Sequence, residues 1–250
     1  MISVCVAVYQ PHPPPNVEGL AATLDAALGS RDGELVVALN GIDPEFAGVP
    51  AGVRTIDLGV NRGVAPAWNA AARGAHGETL VFCNDDVELG ARSLQLLDEA
   101  LERLPNAVVG PVGSNWDIRR GSHVGWVRAD DLPAGEAAEC DVVSGFLFAC
   151  TGKTWASVGG FDEYYAPASW EEVDFCTAVR ARGGRCFAVA GVTVGHEWGV
   201  SRRQPPWARA RWDGRSETWR SVHRRNRRHF LEKWATEATP SLSAETGSAR

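Results

Sequence analysis

Asn84-Asp85-Asp86 closes the apolar run Thr79–Cys83 and is the triplet in this sequence best suited to chemistry. Carboxylate and amide oxygens at a strand end are hard donors. Mg²⁺ or Mn²⁺ needs only one or two carboxylates when substrate phosphates fill the remaining positions. Strand alternation would turn Asn84 and Asp86 to one side and Asp85 to the other. A turn or helix cap ahead of Glu88-Leu89 is the plainer alternative. A second acidic cluster, Ser169-Trp170-Glu171-Glu172-Val173-Asp174-Phe175, sets three carboxylates within four positions. The first turn of a helix favours such residues through its dipole. Beside Trp170, the same carboxylates also offer a general base whose basicity partial desolvation would raise. His196 follows an apolar stretch and precedes Glu197-Trp198-Gly199. Its imidazole could complete a site begun by carboxylates, or simply pack at the surface.

These groups need a scaffold, and the hydrophobic pattern supplies one. Ile2 to Tyr9 reads as a buried strand feeding the stiff Gln10-Pro11-His12-Pro13-Pro14-Pro15 segment. Asn16 is placed to cap a helix from Val17 to Leu28, with Leu20, Leu24 and Leu28 on one face. Further strands are expected at Glu34–Leu39, Val53–Leu58, Thr79–Cys83 and Ala107–Val109. Helices are expected after Gly63 through Ala72 and over Ser93–Leu104. This alternation argues for an α/β fold with a parallel sheet covered on both faces. Ligands of such sheets bind beyond the carboxyl ends of the strands. Tyr9, Asn40, Asn61 and Asn84–Asp86 all fall there. Gly113 to Glu139 reads as loop or short hairpin, Asp141–Cys150 as a strand, Glu171–Arg182 as an amphipathic helix and Cys186–Val194 as a strand. Asp213–Trp234 reads as helix. The small, polar stretch from Thr236 to Arg250 has the composition of a disordered tail.

At 250 residues the chain has room for one large domain. Its net charge of -6 conceals an asymmetry, because ten arginines (202, 203, 209, 211, 215, 220, 224, 225, 227 and 228) crowd a late segment of an otherwise acidic chain. That suits a local anionic partner such as a phosphate or lipid head group, and favours general nucleic-acid binding less. A solvated helix face balancing an acidic body explains the same run. Trp207, Trp212 and Trp219, interleaved with it, suit either sugar stacking or anchoring to the core. Six cysteines without a CxxC pair, several inside apolar runs, imply buried thiols in a reducing compartment. With no apolar stretch near the ~20 residues of a membrane span, a cytoplasmic protein is expected, with peripheral membrane attachment open.

Taken together, these segments resemble glycosyltransferase family 2, inverting enzymes of GT-A fold. Asn61-Arg62-Gly63-Val64-Ala65-Pro66-Ala67-Trp68-Asn69 is similar to that family's NxGxAxAxN stretch. Asn84-Asp85-Asp86-Val87 is similar to its DxD-type motif, in the Asn-first form of rhamnosyl- and galactofuranosyltransferase-like members. Ser144-Gly145-Phe146, with Gly159-Gly160-Phe161-Asp162-Glu163, resembles the acceptor-side segment. Trp170-Glu171-Glu172-Val173-Asp174 resembles the WEDxD element, whose second acid is the base. The resemblance implies a mostly parallel, Rossmann-like sheet flanked by helices over residues 1–200. A nucleotide-sugar half (1–112) precedes an acceptor half (113–200), then an Arg/Trp-rich helical segment (201–235) and a tail (236–250). It implies a Mn²⁺ or Mg²⁺ site at Asp86, Asn84 and His196, and a UDP-, dTDP- or GDP-sugar donor at Tyr9, Asn40, Asp43, Asn61, Arg62, Gly63, Asn69, Asn84 and Asp85. The acceptor, a glycan, lipid-linked or other hydroxyl, would lie at Gly145, Trp170 and Asp174. Glu172 or its neighbour Glu171 would be the base. Many relatives carry Asp where Ala38-Leu39-Asn40-Gly41 ends strand two, so Asn40 or Asp43 is left to read the base. A non-catalytic sugar- or nucleotide-binding module is the rival reading. A nucleotidyltransferase is disfavoured, because no Gly-rich basic loop follows the first strand.

Overall fold

A computed structural model describes residues 1–9, 17–196 and 205–234. The Pro-rich segment 10–15, the Asn16 cap, Arg202, Arg203 and the 236–250 tail lie outside the described residues. The strands are β1 (Ile2–Val8), β2 (Gly33–Leu39), β3 (Arg54–Asp57), β4 (Thr79–Cys83), β5 (Val87–Leu89), β6 (Ala107–Gly110), β7 (Gly113–Asp117), β8 (Ser122–Val127), β9 (Ala137–Cys140), β10 (Val142–Val143), β11 (Leu147–Thr151), β12 (Arg185–Val189), β13 (Val194–His196), β14 (Arg209–Trp212) and β15 (Arg215–Thr218). The helices are α1 (Val17–Leu28), α2 (Val64–Gly74), α3 (Ser93–Arg103), α4 (Gly152–Val158), α5 (Glu171–Ala181) and α6 (Trp219–Trp234).

The main sheet runs β3-β2-β1-β4-β11-β6-β12-β9. Its first four strands are mutually parallel. β11 enters antiparallel between β4 and β6, and β9 closes the far edge antiparallel to β12. Continuous apolar strands are explained by burial on both faces. Ile2, Val4, Val6 and Val8 of β1 face one core with α1 and α3. Cys5 of β1, with Leu80 and Phe82 of β4, faces a second core with α2, α5 and α6. That second core centres on Trp68, whose ring meets Phe82, Phe148 and Phe161 at 5.3–5.9 Å.

Several boundaries differ from the sequence reading. The single strand expected over Asp141–Cys150 is two strands. β10 joins a small sheet with β7 and β8, while β11 returns to the main sheet. The chain turns between them at Ser144–Phe146, where the Ser144 N–H donates to the Val112 carbonyl at 2.9 Å. Cys186–Val194 likewise divides into β12 and β13. The helix expected from Asp213 begins at Trp219, because Arg209–Thr218 folds as a hairpin around Gly214 at φ +70°. All six cysteines are buried and free, and no described helix is long and apolar enough to cross a membrane.

Trp68 is almost fully buried at the centre of this ring cluster. Trp68→Ala is therefore expected to cost about 3–5 kcal/mol of stability, read by denaturant unfolding.

Candidate active site

Three sheet features meet at one edge. β4 ends at Cys83, where the Trp68 Nε1–H donates to its carbonyl at 3.4 Å. Because β11 is antiparallel, its first residue, Leu147, lies beside Cys83. The Asn84 N–H carries this pairing one step further by donating to the Phe146 carbonyl at 3.0 Å. Extended geometry then stops, and Asp85 and Asp86 occupy a turn leading to β5. The simple alternation expected for Asn84, Asp85 and Asp86 therefore does not hold, because side-chain alternation requires extended backbone. Asp85 instead accepts a hydrogen bond from the Tyr9 N–H at the end of β1. Burial, with the Asp86 charge beside it, pushes the Asp85 carboxyl up to about 7 despite that bond. β13 pairs with β5 in a register that sets His196 opposite Val87, the residue after Asp86.

The second acidic cluster lies across Gly145. A Cβ on Gly145 would stand 3.2 Å from both Cγ and Cδ of Glu172, so the Glu172 side chain lies over the bend that links β10 to β11. One residue on, Phe146 holds Asn84. Gly145 and Phe146 thus join Glu172 to the acid triplet. Glu171 has the opposite environment. It is 8% exposed, and its Oε2 is buried without a hydrogen-bond partner among the described residues. Burial, reinforced by the Glu172 charge, holds the Glu171 carboxyl well above the usual carboxylate range. Glu171 is thereby driven toward its neutral form, while Glu172 beside it is only partly buried.

The turn carrying them is strained. Ser169 and Trp170 have φ of +86° and +81°, left-handed values that disfavour side chains. α6 holds this turn in place. Asn226, fully buried, donates through Nδ2 to the carbonyls of Tyr165 (2.9 Å), Ala168 (3.2 Å) and Ser169 (2.9 Å). Arg225 donates to the Ala166 carbonyl, and its guanidinium lies over the rings of Tyr164 and Trp212. Asp174 is buried in the same contact. It accepts from Tyr165 Oη (3.0 Å), Lys233 Nζ (2.8 Å) and Trp234 Nε1 (2.8 Å). The acceptor role expected for Asp174 is thus corrected: at 2% exposure, with both oxygens engaged, it fastens α5 to α6.

Other expected donor residues also serve as supports. Asn40 is buried, accepts from Arg62 N–H (2.7 Å) and donates to the Gly63 carbonyl (3.2 Å). Its amide therefore shapes the 61–63 loop. Asn69 is buried and exchanges hydrogen bonds with the backbone of Phe161 (both 2.9 Å). Asp43 is exposed and caps the Glu45 N–H at 2.8 Å. Asn61 accepts from Gly63 N–H and donates to the Arg211 carbonyl at 2.8 Å, which docks the 209–218 hairpin beside the loop. Gly63, at φ +99°, leaves no room for a Cβ, which would fall 2.9 Å from Pro167 Cα. Arg62 is exposed on the same loop. Trp212 is buried and Trp219 packs beside it, so both anchor the C-terminal segment, whereas Trp207 is 76% exposed.

Asn84, Asp85 and Asp86 offer only hard oxygen donors, and the mutual repulsion of the two carboxylates is the kind that a bound cation relieves. The triplet therefore fits a divalent ion that substrate phosphates also coordinate. Among the described residues no three His, Cys, Asp or Glu side chains form a closed cluster, and the His196 side chain is not among those described.

This architecture is that of the GT-A glycosyltransferases. GalNAc-T7 with UDP, GalNAc and Mn²⁺ superposes with a TM-score of 0.65 at 15% identity, covering 94% of this chain and 48% of that one. The mannosyltransferase PcManGT from Pyrobaculum calidifontis, with GDP-Man and Mn²⁺, gives 0.54 at 21% identity over 76% and 55% of the two chains. S. aureus TarS gives 0.52 at 15%, over 77% and 36%. The chain therefore spans about half the length of the first of these proteins. Residues 29–151, just under half of the chain, match the model described as glycosyl transferase family 2. No curated protein matches it in sequence.

Two outcomes test the support of the turn. Asn226→Ala leaves three carbonyls without their shared donor and is expected to cost about 2–4 kcal/mol by denaturant unfolding. The Asp162 carboxyl would be raised by burial, but His229 and Lys233 outweigh this and hold it at about 2, below its ordinary 3.8. A depressed carboxylate contributes stability above its unfolded value and loses it as pH falls through the folded one. Stability should therefore fall as pH drops from about 4 to about 2. In Asp162→Asn that fall should be shallower and the stability above pH 4 lower, measured by chemical denaturation across this range.

Proposed function

We propose that the chain transfers a sugar from a nucleoside diphosphate donor to an acceptor hydroxyl, with inversion at the anomeric carbon. The observation that carries this reading is the Gly145-Phe146 bend, which joins Glu172 to the Asn84–Asp86 triplet. The Mn²⁺ and the UDP or GDP-Man in two fold neighbours support the same reading of the triplet.

The donor diphosphate would lie at the carboxyl ends of β1, β2 and β4, against Tyr9, the Asn61-Arg62-Gly63 loop and Asn84–Asp86. Asp86 and Asn84, with His196 from the paired strand, would hold a Mn²⁺ or Mg²⁺ ion. That ion, when bound, neutralises charge on the departing diphosphate. Glu172 removes the proton from the acceptor hydroxyl. The acceptor oxygen then bonds to the anomeric carbon as the bond to the diphosphate breaks on the opposite face, and the proton stays on Glu172. Glu171, held toward its neutral form, is ill suited to accept that proton; this favours Glu172 as the base.

Two measurements test the assignment. Glu172→Gln should lower kcat by about 10²–10⁴-fold while nucleotide affinity stays within a few-fold, measured by nucleotide release and calorimetry. Turnover near wild type would remove Glu172 from the role. Asp86→Ala, or chelator on the wild-type chain, should instead weaken nucleotide diphosphate binding, with Mn²⁺ restoring it only in the wild type.

A further inference from the structure

The hairpin of β7 and β8 carries aromatic residues that the transfer chemistry does not use. Trp170, which precedes Glu171-Glu172, meets Trp116 of β7 at 5.5 Å between ring centroids and 68° between planes. Trp116 meets His123 of β8 at 5.9 Å, and His123 meets Trp126 at 4.7 Å. The four rings form an unbroken line from the turn carrying Glu172 to the outer edge of the small sheet.

The inner end of this line is fixed by buried groups. Trp170 packs on Phe230 of α6 at 5.0 Å. Trp116 donates through Nε1 to Ser114 Oγ at 2.8 Å, and its backbone N–H donates to Asp141 at 2.8 Å. Asp141 is itself fully buried and paired with Arg180 at 2.8 Å. The outer end is more exposed: Trp126 is 51% and Val124 56% exposed. β8 is an edge strand, where exposed apolar side chains invite aggregation unless something uses them.

We infer that the line Trp170–Trp116–His123–Trp126 is an acceptor subsite for a saccharide chain. The terminal sugar presents its hydroxyl to Glu172, and the preceding units lie along the hairpin. The C–H faces of pyranose rings are apolar while their rims hydrogen-bond, the combination that indole and imidazole rings accommodate. Continuity with the Glu172 turn selects this occupant: a surface that starts two residues from the proposed base serves the molecule that gives up a proton there. The inference rests on the proposed transfer reading and narrows its acceptor to an oligosaccharide or polysaccharide.

Calorimetry without nucleotide, on the full chain, would compare hexasaccharides of β-1,4-glucose, α-1,6-mannose and α-1,4-galacturonic acid with their monosaccharides. At least one hexasaccharide should bind 10-fold or more tightly than its monosaccharide. Trp126→Ala and His123→Ala, both at exposed positions, should erase that advantage, whereas Trp207→Ala, exposed elsewhere, should keep it. Hexasaccharides binding no better than monosaccharides, or an advantage surviving in Trp126→Ala, would overturn the subsite. Separate titration of the wild-type chain with UDP and GDP plus Mn²⁺ keeps the two readings apart. Absent nucleotide binding counts against sugar transfer, and absent chain-length dependence counts against the aromatic line.

Discussion

Three carbonyls facing one amide, the contact of Asn226 with Tyr165, Ala168 and Ser169, are the constraint on which the site depends. A segment with Ser169 and Trp170 both in left-handed conformation is held only if its surroundings over-determine it. Its carbonyls point inward, away from water, and would be costly to bury without donors. Asn226 supplies donors from a core position of α6, and Arg225 and His223 add contacts to Ala166 and Ser169. The reward for this arrangement is directional. α5 starts where its first turn faces Gly145, so Glu172 lies over the bend ahead of β11 while Asp174, about half a turn on, points into the core to meet Trp234. The C-terminal helix is thereby part of the machinery that aims the acid cluster.

The sheet places the other half of the site. Parallel strands β1, β2 and β4 deliver their carboxyl ends to one edge. The antiparallel entry of β11 brings an amino end there as well, and this lets Phe146 receive Asn84. A purely parallel sheet would have sent the start of β11 to the opposite edge and left Gly145 far from the acid triplet. The loop at Asn61–Gly63 is set by a similar economy. Asn40 shapes it from below, Pro167 and Asn61 shape it from the side, and its remaining polar groups are left toward the edge.

Much of this was legible in the sequence wherever burial imposed a simple period. β1, β2, β4, α1, α2, α3 and α5 are close to where apolar runs and 3.6-residue spacing put them. The motif residues also fall at strand ends, as expected. The roles within those motifs were less legible, because an Asn or Asp reads the same whether it meets a ligand or a neighbouring carbonyl. Asn40, Asn69 and Asp174 are supports by virtue of partners 9 to 92 residues away in sequence. α6 was obscured by its charge. Its arginines dominate the composition, yet Val222, Asn226, Phe230 and Trp234 recur every four residues and are all buried. A polar residue inside an otherwise apolar stripe was the available sign of a buried hydrogen-bonding role. The hairpin of β14 and β15 was lost within the same basic run, since only Asp213-Gly214 marks its turn.

Glu172 and Gly145 have to be read as one unit. A glutamate is one methylene longer than the aspartate that the resembling motif usually carries, and the extra reach needs space. Gly145 supplies it, since any Cβ there would press on the Glu172 Cγ and Cδ at 3.2 Å. The longer side chain thus lies flat over the bend. The same packing separates the two neighbouring acids. Glu172 has the surface of a glycine bend to cross and stays partly exposed, while Glu171 turns inward to the backbone of Ser169 and loses its water. Local shape therefore decides which of the two acids is buried, and the glycine at position 145 is what lets the Glu172 side chain lie over the bend.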